Sequence, residues 1–143
     1  MYFEEIEKGY TTQIPTAVIN KDEMVEFALR YDNIPLHTDE EYAKTTRFGQ
    51  LIAPGVMSFM SVWAKYLEID LFGEELVAGK STKIEWHKPV FAGDELSSTV
   101  TVSNKVQRNE RNGLVALTLE IKNQHGETVM TNITEAVVKC REK

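Results

Sequence analysis

Cysteine is almost missing from the chain. Cys140 is the single one, so no internal disulfide can close and no cysteine pair is available to a metal. That usage fits a reducing compartment, and a cytoplasmic location is expected. Histidine is scarce too: His37, His87 and His125 are far apart, with no pair at the i,i+4 spacing that presents two imidazoles on one helix face. No metal site and no cofactor are expected. Long apolar runs are absent, none reaching the ~18–20 residues of a membrane-crossing helix, so no membrane partner is expected. The opening MYFEEIEKGY carries acids early and lacks the basic-then-apolar pattern of an export signal. Positive charge is in deficit, 16 Lys and Arg against 22 Asp and Glu, for a formal net charge of -6. That balance argues against nucleic acid, whose phosphates need neutralising. A small anionic ligand needs only a local basic patch and stays open.

What is present is enough for one domain spanning residues 1–143 with a sizeable core. In 21-KDEMVEFALRYD-32, Met24, Phe27, Ala28 and Tyr31 share one helix face. Asn20 is the predicted N-cap, with Glu23 in capping-box position. The helix is expected to stop before Pro35, which pushes its predecessor out of the helical region. Thr38 and Glu41 repeat the capping-box spacing and predict a short helix over 39–45. In 52-IAPGVMSFMSVWAKYLEI-69 the residues from 56 to 67 are apolar round most of the helix, the pattern of an element surrounded by protein. Pro54 suits its first position. The later sequence reads as strands at 78–90 (broken by Pro89), 96–106, 114–122 and 128–140, joining one at 10–19. Strands gathered apart from helices predict an α+β fold with an antiparallel sheet. A single sheet covers only part of a wrapped central helix, so a homodimer or a higher homo-oligomer is expected to cover the rest.

Two attractive motifs fail. The stretch 79-GKST-82 ends like a phosphate-binding loop, but Glu74 stands where that motif needs glycine, and the residues after it read as a strand. No G-x-S-x-G elbow occurs, and Cys140 lies in a terminal strand, so no covalent nucleophile stands out.

The stretch 32-DNIPLHTD-39 is more informative. Asp32 and His37 flank a stiffening proline and suit an acid–base pair, although an ordinary helix end and turn would carry the same residue types. Further on, 48-FGQLIAPG-55 delivers Gly55 to the start of the central helix. Pro54 has no N–H, so Gly55 carries the first free donor there. Its missing side chain lets a ligand oxygen approach, and the helix N-terminus favours developing negative charge.

Taken as one segment, 31-YDNIPLHTDEEYAKTTRFGQLIAPG-55 closely resembles the signature of the MaoC-like dehydratases, also called R-specific enoyl-CoA hydratases or hydratase 2. Those proteins read D-x-N-P-hydrophobic-H, then F-G-x-x-I-A-x-G. A second stretch, 86-WHKPVFAGDEL-96, resembles the family's K-P-V-x-x-G-D-x-L. The resemblance implies the hot-dog fold, a curved antiparallel sheet wrapped round a central helix and usually dimeric. It implies a lyase that hydrates an enoyl-CoA or dehydrates a 3-hydroxyacyl-CoA, with Asp32 and His37 as catalytic dyad and the Gly55 N–H holding the thioester oxygen. No metal or redox cofactor is implied.

Two positions depart from the pattern: Ile34 replaces the family asparagine, and Pro54 replaces a histidine that often precedes the glycine. Two alternatives therefore stand beside the lyase, a hot-dog thioesterase and a non-catalytic acyl-CoA-binding protein with a vestigial dyad. Arg47, Lys80, Lys83 and Lys88 are candidates for a basic patch toward CoA. Trp63 and Phe91 are candidates for the acyl pocket, and His87 and His125 receive no role.

Overall fold

Clean alternation decides the centre of the sheet. In the computed structural model, which describes residues 1–142, the strand β4 (Asn112–Lys122) buries Gly113, Val115, Leu117, Leu119 and Ile121 and turns the residues between them outward. Period-two burial on one face is what a sheet covered on one side requires. Around it lie β1 (Thr11–Val18), β2 (Leu76–Trp86), β3 (Glu95–Gln107) and β5 (Thr128–Lys139), all antiparallel, in the order β1-β3-β4-β5-β2. The register shifts in β1, β2 and β3 are bulges, which bend a strand and raise its twist. Pro15 falls at the shift in β1, a sheet edge, where a missing N–H is tolerated.

Helices occupy one stretch between β1 and β2. They are α1 (Lys21–Tyr31), α2 (Pro35–Thr38), α3 (Glu40–Lys44) and α4 (Gly55–Leu67). The Asn20 side chain caps α1 by accepting from Glu23 N at 3.0 Å. The second capping box differs from expectation. Asp39, not Thr38, caps α3, accepting from Tyr42 N at 3.1 Å. Thr38 instead closes α2, its hydroxyl donating to Ile34 O at 3.1 Å. A proline at the first position of α2 is already set for a helical turn, so the chain makes two short helices where one was expected.

The central helix α4 packs on the sheet against β1 and β3, burying Met57, Ser58, Phe59, Val62 and Tyr66. It is not covered all round. Val56, Met60 and Leu67 remain 49%, 47% and 53% exposed, so part of its apolar circumference faces outward from the chain. The edge strand β2 is similar: of its eleven residues only Ile84 is even half-buried. The strand stops at Trp86, short of the predicted residue 90, and residues 79–82 lie within it, in line with the rejection of the phosphate-loop reading. Among the described residues no helix is long and apolar enough to cross a membrane.

Candidate active site

The geometry begins where α1 ends. Asp32 leaves the helical region (φ -153°, ψ 57°) while its N–H still donates to Ala28 O at 2.9 Å. Ile34, held extended ahead of Pro35, then reverses the chain into α2. One helical turn carries His37 back over Asp32, and His37 Nε2 lies 3.3 Å from Asp32 Oδ2. The two side chains differ in surroundings: His37 is buried, whereas the Asp32 carboxylate is 46% exposed. A nearly buried ring needs a partner for its other nitrogen, and His37 Nδ1 has one in Ile52 O at 2.8 Å. A carbonyl only accepts, so Nδ1 carries a proton. Nε2 is then the nitrogen without that proton, and it faces the Asp32 carboxylate.

Ile34 takes the place of the family asparagine at the N-cap of α2, and no side chain caps that turn. The work falls to backbone and to Thr38: Ile34 O accepts from His37 N at 3.0 Å and from the Thr38 hydroxyl. The Ile34 side chain is itself 45% exposed and contributes nothing to the site.

Residues 51–53 link the pair to α4. Ile52 N donates to Leu36 O at 3.3 Å, and Ala53 N to Val90 O at 2.7 Å, pinning the segment between α2 and the chain beyond β2. Pro54 emerges as the N-cap instead of the first helical residue, which makes Gly55 the first residue of α4. Its N–H belongs to the helix's unsatisfied first turn and sits at the positive end of the macrodipole. Glycine is required here for a further reason. A Cβ on Gly55 would lie 2.5 Å from Cε2 and 2.7 Å from Nε1 of the Trp86 indole.

Asp32, His37 and Gly55 line one cleft of about 480 Å³, with Ser58 at its base. Arg47, Phe48, Trp86, His87, Lys88 and Pro89 also line it. Two of the four expected basic residues are therefore at the cleft. Lys80 and Lys83 are not; they lie outside it on β2, with Glu135 at 3.8 Å and Glu85 at 3.1 Å. Lys88 pairs with Glu127, and that hydrogen bond, with one from Asn123, holds the Glu127 carboxyl below the usual carboxylate range. The Arg47 guanidinium lies 5.0 Å over the Phe48 ring. His87, left without a role, lines the cleft with Nε2 hydrogen-bonded to Thr131 Oγ1 at 2.9 Å. Trp86 was missed. Its signal was its place two residues before the K-P-V stretch.

The two aromatic candidates lie elsewhere. Phe91 does not line the cleft; it bridges to Ile52, and its N–H donates to Asp94 Oδ2. Trp63 lines a second cavity of about 90 Å³ at the far end of α4, with Tyr66, Phe72 and Thr134. Eight residues separate it from Gly55, ~12 Å along a helix axis, too far to share the first turn's cleft. Burial there pushes the Tyr66 phenol up to about 12. His125 sits exposed in the turn between β4 and β5. Among the described residues no three His, Cys, Asp or Glu side chains are grouped to hold a metal ion.

Comparison with known proteins bears on the family and the fold. A family model described as "MaoC like domain" matches residues 3–124. The uncharacterized protein YdeM of Bacillus subtilis is 26% identical, over 97% of this chain and 99% of its own. The (R)-specific enoyl-CoA hydratase of Aeromonas caviae is 34% identical over 78% of each chain. Among solved structures, an Archaeoglobus protein described as a monoamine oxidase regulatory protein superposes with a TM-score of 0.93 at 31% identity, covering 99% of this chain and 96% of that one.

Proposed function

The chain belongs to the MaoC-like domain family, and from that premise we propose that it adds water to an α,β-unsaturated acyl thioester, or removes it from the 3-hydroxyacyl thioester. Hydratase or dehydratase chemistry is the coarse reading that the family and its hydratase relatives support. The finer reading rests on one observation: Asp32 and His37, 3.3 Å apart, line the same cleft as Gly55, the first residue of α4.

Asp32 is the base. It takes a proton from water as the oxygen bonds to C3, and the π electrons move onto the thioester oxygen. Gly55 N–H and the α4 dipole hold that enolate oxygen. The proton returns to C2 through the Asp32–His37 pair, which ends as it began. His37, its tautomer set by Ile52 O, orients the water. Arg47 and Lys88, lining the cleft of a chain with net charge -6, favour a CoA thioester as the carrier. The protein acts as a single domain over residues 1–143 in the cytoplasm. It works as a homodimer or higher homo-oligomer, a reading supported by the exposed edge strand β2 and the outward Val56, Met60 and Leu67. Light scattering at micromolar concentration tests the assembly, and a monomer would refute it.

Crotonyl-CoA hydration, followed as loss of the conjugated thioester absorbance, tests the chemistry. Turnover by the wild type, with strong loss in Asp32→Asn, supports the lyase. Release of free CoA would identify a thioesterase instead, and binding without turnover across longer and branched enoyl thioesters would identify a binding protein.

A further inference from the structure

From the contact between Trp86 and Gly55 we infer that Trp86 touches the substrate, its indole forming one wall of the thioester site and its Nε1–H donating a second hydrogen bond to the thioester oxygen. This rests on the reading of Gly55 given above. The indole lies flush on the Gly55 side of the cleft it lines, with Nε1 2.7 Å from where a Gly55 Cβ would be. That carbon would itself be ~2.5 Å from Gly55 N by backbone geometry, so the two nitrogens are at most about 5 Å apart. Two hydrogen bonds of ~2.9 Å to a shared oxygen span up to about that distance. Among the described residues nothing accepts from Trp86 Nε1–H, while the neighbouring His87 ring is engaged with Thr131. The backbone that carries the ring is fixed, since Trp86 pairs with Met130 at the end of β2 and His87 N donates to Val129 O at 2.8 Å. An indole presents an apolar face to a planar enoyl thioester and a polar edge to its oxygen. A donor aimed at the oxygen that gains charge is the kind whose removal lowers kcat, with KM little changed.

Trp86→Phe keeps the ring and removes the N–H. It should lower kcat for crotonyl-CoA by about 10²-fold, the effect of losing one such donor, while KM and thermal melting stay near wild type. Asp32→Asn is measured beside it. If Asp32→Asn collapses and Trp86→Phe keeps the wild-type kcat, the donor role is overturned and the dyad reading survives. If Asp32→Asn turns over at full rate, the dyad reading falls, and the donor role is decided by Trp86→Phe alone, a wild-type kcat there overturning it. A second measurement does not depend on turnover. In Trp63→Phe, Trp86 is the remaining tryptophan, and adding crotonyl-CoA should shift its emission; emission unchanged at saturation overturns the contact.

Discussion

The two ends of α4 meet very different surroundings. At Gly55 the helix opens onto a cleft of about 480 Å³ with a half-exposed carboxylate, a nearly buried imidazole and the basic Arg47 and Lys88 in its lining. Twelve residues on, ~18 Å along the axis, Leu67 borders a cavity of about 90 Å³ closed by Trp63, Tyr66 and Phe72. At that end aromatic rings pack on one another, Trp63 and Tyr66 with centroids 4.6 Å apart and Trp63 and Phe59 at 5.9 Å. A helix can leave its first N–H groups without protein partners only if something else fixes its position. The packed C-terminal half, together with Met57 and Phe59 against the sheet, does so. On the proposed function, stability and chemistry are thus separated along one element.

Substitutions at the two ends break or sharpen that separation. Asp32→Asn should have the largest effect, lowering the hydration rate by ~10²–10⁴-fold as a lost acid–base group does. Its folding should be unchanged in urea titration, because the Asp32 side chain is half exposed. A matching loss of stability would show that the first turn carries structural load after all. Phe72→Ala tests the opposite end. Phe72 is 3% exposed, and truncating a buried phenylalanine destabilises by ~3–5 kcal/mol. Urea midpoints should fall accordingly, with the turnover rate per folded molecule unchanged. A Phe72→Ala protein that folds normally yet loses turnover would join the two ends into one functional unit.

How legible this was in the sequence depends on the range of the interactions. The strands and α4 were legible because burial alternates or wraps within a few residues, as in 114-LVALTLEIK-122. The proximity of Asp32 and His37 was legible through the proline between them and the resemblance those residues carry. The burial of His37, and its bond to Ile52 O fifteen residues away, were not, because they depend on residues 51–53 being pinned to α2 and Val90. Trp86 had a place beside the K-P-V stretch, but its reach was not legible, for the same reason. It reaches Gly55 from the end of β2, whose place beside β5 no local pattern encodes. Lys80 and Lys83 were grouped with Arg47 and Lys88 by charge alone. A strand rises ~3.3 Å per residue, so eight residues along β2 and beyond put Lys80 well away from the cleft.

The smallest expected effect bears on how the open end holds its shape. The turn carrying His37 has no side-chain N-cap, because Ile34 supplies only its carbonyl. Ile34→Asn places an acceptor beside the Leu36 N–H, the second helical position, which no side chain caps. An N-cap of this kind contributes about 1 kcal/mol. The isoleucine is 45% exposed, so little apolar burial is lost in exchange. Thermal melting should rise by a few degrees, the shift that ~1 kcal/mol gives a domain of this size. The rate on crotonyl-CoA should stay the same, since Ile34 does not line the cleft. A rate gain with no change in melting would mean that the introduced amide acts on the substrate. The chain's departure from the family asparagine would then be a matter of chemistry instead of turn stability.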